Sequence, residues 1–190
     1  MADNGAPSAC GRRELWVFGY GSLMWRPGFD FVSSHQARIS GYHRAFCVYS
    51  HHHRGTPEKP GLVLGLSRGG ACRGLLYQVA ADKAEETIAY LRAREQVTLV
   101  YREARVAALR LTDGTRIAGV LTYVADPAHP QYAGRLDGET QAALIARGIG
   151  RSGDNPAYLA DMVAHLRHMG IRDDSLETLL AAVTALRAGA

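Results

Sequence analysis

LWVFGYGS, residues 15–22, is an aromatic and β-branched run that stops abruptly at Tyr20-Gly21-Ser22. Such content reads as a buried first strand. The next residues, LMWRPGF (23–29), include a proline and a glycine and cannot continue that strand. A strand that ends in Tyr-Gly-Ser can expose consecutive backbone N–H groups where the chain turns. Gly21 allows a close approach or an unusual φ there. A turn of this kind can hold an anion or a developing oxyanion. An ordinary strand-to-loop exit is the competing reading.

Working outward, ARISGYHRAFCVYS (37–50) predicts a second strand with Gly41 as a bend, and HHHRGTPEKPGL (51–62) a loop punctuated by glycine and proline. LVLGLSRG (62–69) and CRGLLYQVA (72–80) predict a hairpin around Gly69-Gly70. The period then changes. DKAEETIAYLRAREQ (82–96) carries Ala84, Ile88 and Leu91 at helical spacing, with Asp82 as the expected N-cap and Glu85 completing a capping box. Segments 98–111 and 115–126 read as strands joined by a turn at Asp113-Gly114. The remainder is helical: 138–150, then 155–170 with Asn155 as N-cap, Pro156 in the first turn and Gly170 as the stop, then 174–189. Strands come first and helices last, an α+β order.

The 190 residues suffice for one hydrophobic core, expected over 14–190, with the small, polar segment 1–13 as a loose tail. The net charge of +4 is mild and no run of five basic residues occurs, so nucleic acid is not expected as a partner. Three cysteines, Cys10, Cys47 and Cys72, without a C-x-x-C argue against a disulfide framework and a cysteine zinc site, and favour a reducing cytosol. No stretch has the ~18 apolar residues of a membrane span, and no signal peptide is evident. A cytoplasmic protein is expected.

Glu95 is the second candidate for chemistry. It sits at the end of helix 82–96, where the dipole disfavours a carboxylate and raises its proton affinity, as suits a general base. Pairing with Arg92 is the alternative. His51-His52-His53 are adjacent and diverge, no H-x-x-x-H with a nearby carboxylate occurs, and His165 and His168, three apart on a helix, could reach one metal ion but read first as a solvated or snorkelling pair; no metal is expected. Cys47 reads as core, and the absence of G-x-S-x-G removes a hydrolase elbow.

Taken together, VFGYGSLMWRPGF, GYHRAFCVYSHHHRGTPEKPGLVLGL, CRGLLYQV, LRAREQ, HPQYAG and GDNPAYLADMVAHLRHMGIRD closely resemble the ChaC family of glutathione-specific gamma-glutamylcyclotransferases, in order over roughly 15–181. One departure is local: many relatives carry a Tyr followed two residues later by Pro after the glutamate, whereas Tyr101 here precedes Arg102-Glu103. The resemblance implies a small, closed or nearly closed mixed β-barrel with helices around it. It implies that glutathione is split into 5-oxoproline and cysteinylglycine by attack of the substrate's own α-amine on its γ-carbonyl, without cofactor or metal. Glu95 matches the family's catalytic glutamate. Val17, Phe18, Gly19, Tyr20, Gly21, Ser22 and Leu23 match the loop whose main-chain N–H groups hold the γ-glutamyl part, so Ser22 is not a nucleophile. Tyr158 lies in the matching Asn-Pro-x-Tyr-Leu block. Arg54, ahead of Lys59 and Arg44, is the candidate for the glycine carboxylate, with a solvated basic loop as the alternative. Two other functions stay open: a cyclotransferase for another γ-glutamyl amine or peptide, and a non-catalytic regulator of cation transport.

Overall fold

The computed structural model describes residues 14–189. The expected tail, 1–13, and Cys10 lie outside the described residues. Strand β1 (Leu15–Gly19) is followed by a single 3₁₀ turn, Ser22–Met24. Two long strands come next, β2 (Ser33–Ser50) and β3 (Gly61–Val79), then helix α1 (Ala84–Glu95) and the hairpin β4 (Tyr101–Arg110) and β5 (Arg116–Ala125). Helix α2 (Gly138–Arg147), the two-residue strands β6 (Ile149–Gly150) and β7 (Gly153–Asp154), and helices α3 (Asn155–His168) and α4 (Asp174–Ala188) complete the chain.

The five long strands close into a barrel in the order β1-β3-β2-β4-β5. Four of the pairings are antiparallel, and a parallel pairing of Val17 with Leu121 closes the ring between β1 and β5. The expected mixed barrel with surrounding helices is therefore present. Its interior is filled from every strand: Phe18, Ile39, Leu66 and Leu76, Ala108, and Val120. Because β1 is covered on both faces, it reads as a continuous apolar run rather than an alternating one. Phe18 points inward, while Val17 packs with Leu23, Tyr77, Leu91 and Leu121 under α1. A separate cluster seats α2, α3 and α4 on Phe46, Leu62 and Leu64.

Three local expectations are corrected. Segments 62–69 and 72–80 are not a hairpin; they are one strand of 19 residues that runs alongside β2. Gly69 and Gly70 have φ of +97° and +68°, as a tight turn needs, but they face Gly41 at φ +87°, where the register shifts. The glycines make a shared bulge that bends a long two-stranded ribbon to fit the barrel. The helix expected from Asp82 starts instead at Ala84, with no side-chain cap; Glu85 and Glu86 face the positive end of its dipole. Asn155 does not cap α3. Asp154 precedes the helix, and the fully buried Asn155 amide accepts from Leu62 N and donates to Leu62 O, both at 2.8 Å, fastening α3 to β3. Gly170, at φ +66°, follows the end of α3 as expected.

Candidate active site

The exit of β1 is built before any side chain is considered. A Cβ on Gly74 would lie 2.2 Å from the Gly19 carbonyl, so β3 crosses the end of β1 only because position 74 has no side chain. Thr122 Oγ1 donates to Phe18 O at 3.0 Å and anchors the end of the strand from β5. The Tyr20 carbonyl accepts from Arg44 Nε at 2.7 Å. The Arg44 guanidinium is 3 % exposed and also serves Arg73 O at 2.6 Å and Asp173 Oδ2 at 3.0 Å. Asp173 in turn caps α4 by accepting from Leu176 N. From the other side, the Tyr77 hydroxyl lies 2.9 Å from Leu23 O and 3.0 Å from Met24 O, sharing its proton between them.

Held this way, the turn presents its amides. Among the described residues, the N–H groups of Gly21, Ser22 and Leu23 donate to no protein acceptor, whereas Met24 N closes the turn on Gly21 O at 2.9 Å. Gly21 has φ −130°, so it is not in the left-handed region that favours glycine. Its use is space: a Cβ there would meet no protein atom within 4 Å, and Gly21 lines a cavity.

That cavity has a volume of about 80 Å³. Tyr20, Gly21, Ser22 and Leu23 form one wall; Leu64 and Glu95, with Tyr101, Tyr123 and Tyr158, form the rest. Four of its residues are tyrosines from four different segments. Tyr101 donates to Leu64 O at 2.5 Å, and Tyr123 Oη lies 3.4 Å from Glu103 Oε1. Burial pushes the Tyr158 hydroxyl up to about 12 and raises those of Tyr20 and Tyr101 well above their usual value, so all three stay neutral at physiological pH.

Glu95 is the one carboxylate lining the cavity among the described residues. Its side chain is 19 % exposed. Burial raises its proton affinity, and the neighbouring Arg94 guanidinium, with Nε 3.2 Å from Glu95 Oε1, works against that rise. The alternative partner is engaged elsewhere: Arg92 holds Glu103, with Nε 2.5 Å from Oε1 and Nη2 3.1 Å from Oε2. A carboxylate poised by partial desolvation, facing a row of uncommitted amides, can accept a proton from one atom of a bound molecule and return it to another.

The remaining candidates lie outside this lining. Val17 and Phe18 are core residues and do not reach the cavity; Gly19 lies under Leu23, 3.1 Å from its Cβ if a methyl were added. Arg54 Nη1 donates to Asp154 O at 3.2 Å, and its guanidinium lies over the Tyr158 ring, 5.0 Å from the centroid; it is not part of the cavity lining. Lys59 is exposed, and Arg44 is consumed beneath the loop. His165 stacks on Trp25 at 4.2 Å. Among the described residues, no group of three or more His, Cys, Asp or Glu side chains is placed to hold a metal ion. Cys47 is buried, which pushes its thiol up to about 12. Arg94, Tyr123 and Leu64 were not singled out in the sequence. Arg94 has the one legible signal, its place beside Glu95.

The closed barrel with helices around it can be set beside known proteins. Residues 15–186 match the family model described as ChaC-like protein. The glutathione-specific gamma-glutamylcyclotransferase of Escherichia coli K12 is 37 % identical over 174 residues, covering 92 % of this chain and 74 % of that protein. The human glutathione-specific gamma-glutamylcyclotransferase 1 is 33 % identical over 175 residues, covering 90 % and 79 %. A crystal structure of a glutathione-specific gamma-glutamyl cyclotransferase from yeast superposes with a TM-score of 0.80 at 26 % identity, covering 92 % of this chain and all of that one. The chain belongs to the ChaC family.

Proposed function

We propose that this protein cleaves glutathione into 5-oxoproline and cysteinylglycine, with Glu95 moving the proton. The observation that carries the reading is the facing pair in one small cavity: free amides at 21–23 and a single partly desolvated carboxylate. About 80 Å³ is well below the ~300–1,000 Å³ of sites that enclose a whole drug-sized ligand. It suits one end of a tripeptide, and the γ-glutamyl end carries all the reacting atoms.

The Gly21, Ser22 and Leu23 amides hold oxygens of the glutamyl part. This folds the chain so that its α-amine nitrogen lies against its own γ-carbonyl carbon. The nitrogen forms the new C–N bond, Glu95 takes the proton that the amine loses, and the tetrahedral carbon then expels the cysteine nitrogen. Glu95 returns its proton to that nitrogen, and no water is consumed. The nucleophile belongs to the substrate, so Ser22 and Cys47 need not react. Positioning of this kind supplies up to ~7–11 kcal/mol of a barrier. The cysteinylglycine part extends beyond the cavity, where Arg54 beside Tyr158 receives the glycine carboxylate. A reducing cytosol is the compartment that a chain without a disulfide framework fits. No helix among the described residues is long and apolar enough to cross a membrane.

The test is release of 5-oxoproline from glutathione, from γ-glutamylcysteine and from a γ-glutamyl amine. Glutathione is expected to be the best substrate. A charged hydrogen bond is worth ~1.5–3 kcal/mol, so Arg54→Ala should lower kcat/KM for glutathione roughly ten- to a hundredfold and narrow its lead over γ-glutamylcysteine. Preference for the amine would transfer the activity to another γ-glutamyl compound. An equal fall on both peptides would remove Arg54 from recognition of the glycine end.

A further inference from the structure

Consecutive residues on a helix point about 100° apart, yet the long side chains of Arg94 and Glu95 converge at the C-terminal end of α1, with Arg94 Nε 3.2 Å from Glu95 Oε1. Arg94 fills that corner with both arms of its guanidinium. Nη2 donates to Ser22 Oγ at 3.0 Å. Nη1 meets Arg26 O at 2.6 Å, Pro27 O at 3.2 Å and the Tyr90 hydroxyl at 3.1 Å. Nε faces Glu95 Oε1. Arg94 thus bonds to the strand-exit loop and to the carboxylate at once.

We propose that Arg94 is a positioning residue that locks the 22–27 loop to the end of α1 and, with the same guanidinium, sets how readily Glu95 holds its proton. The proposal rests on the reading of Glu95 as the base and of the loop amides as the substrate's donors. Its two arms act on different steps. The Nη contacts fix where the amides stand, which is a matter of binding. The Nε contact opposes the burial of Glu95, which is a matter of proton transfer. The groups that face Glu95 from the other elements are Tyr20 after β1, Tyr101 on β4, Tyr123 on β5 and Tyr158 on α3, all neutral hydroxyls held protonated by burial. Arg94 is therefore the one charged neighbour that opposes the effect of burial on Glu95 among the described residues.

A lysine keeps the charge but not the planar fork, so the two arms are separable. The Glu95 carboxyl is titrated directly by ¹³C NMR in wild type, Arg94→Lys and Arg94→Gln, with its signal assigned by its loss in Glu95→Gln. Steady-state kinetics on glutathione run in parallel. Arg94→Gln should move the Glu95 titration, and the acidic limb of kcat/KM, to higher pH. Arg94→Lys should leave both near the wild type. Each variant should raise KM by about tenfold through the lost loop contacts. A Glu95 titration unmoved in Arg94→Gln overturns the proposal. If Arg94→Gln does not fold, a wild-type KM in Arg94→Lys overturns it equally. Failure of the wild type to release 5-oxoproline would sink the proposed function and leave the NMR titration to judge Arg94.

Discussion

Glu95 ends α1, facing the negative pole of its helix and shut from most of the solvent, which is a poor place for a charge. Arg94 offsets only part of this, and the carboxyl remains harder to ionise than in the unfolded chain. A carboxyl whose folded proton affinity is raised favours folding while protonated and opposes it once ionised, so stability falls as pH rises past the unfolded value of ~4.3. Glu95→Gln should therefore raise the melting temperature at neutral pH, and the gain should vanish near pH 3, where wild-type Glu95 is protonated in both states. Calorimetry across that range checks it; a variant less stable than wild type at pH 7 would contradict the account. The place of Glu95 at a helix end was legible in the sequence, and the structure sets it there, lining the cavity. The reason for its elevated proton affinity was not: the dipole is a helix-end effect, but the larger cause, burial, comes from tyrosines on four distant segments. Arg94 was not singled out in LRAREQ, because nothing in a linear run shows that its guanidinium reaches both Ser22 on the strand-exit loop and Glu95.

At the scale of elements, the site depends on where β3 begins and α3 attaches. Asn155 makes that join by serving both polar groups of the Leu62 backbone from a fully buried position. Removing it orphans a buried donor and a buried acceptor, each costing ~1–3 kcal/mol. Asn155→Ala should destabilise the fold by roughly 2–6 kcal/mol by that count. Asn155→Asp can still accept from Leu62 N but sets a carboxylate against Leu62 O, so it should be nearly as damaging; chemical denaturation separates the cases. An aspartate variant as stable as wild type would show that the donor arm is idle. The sequence marked this residue as a helix cap, since Asn before Pro has that local chemistry, and a tertiary partner overrode it. The same override turned Gly69-Gly70 from a hairpin turn into a bulge: two positive φ angles suit either, and only the matching length of β2 alongside decides.

Across the whole molecule, closure of the barrel is what brings the first strand to the fifth. The parallel contact of Val17 with Leu121 joins segments far apart in the chain and closes the five-strand ring. The α+β division could be read from periodicity, but the single long β3 was split in two by its glycines, a long-range parallel contact leaves no periodic trace, and only the resemblance to the ChaC family implied the barrel. Closure also gathers Tyr20, Tyr101, Tyr123 and Tyr158 around Glu95, the one carboxylate lining the cavity among the described residues. The most direct measurement is 5-oxoproline release from glutathione by the wild type and by Glu95→Gln, with circular dichroism confirming that both are folded. General acid–base catalysis supplies ~10²–10⁴-fold, and a fall in kcat of at least that size is expected. A folded Glu95→Gln that keeps turnover within about tenfold of the wild type would contradict the account.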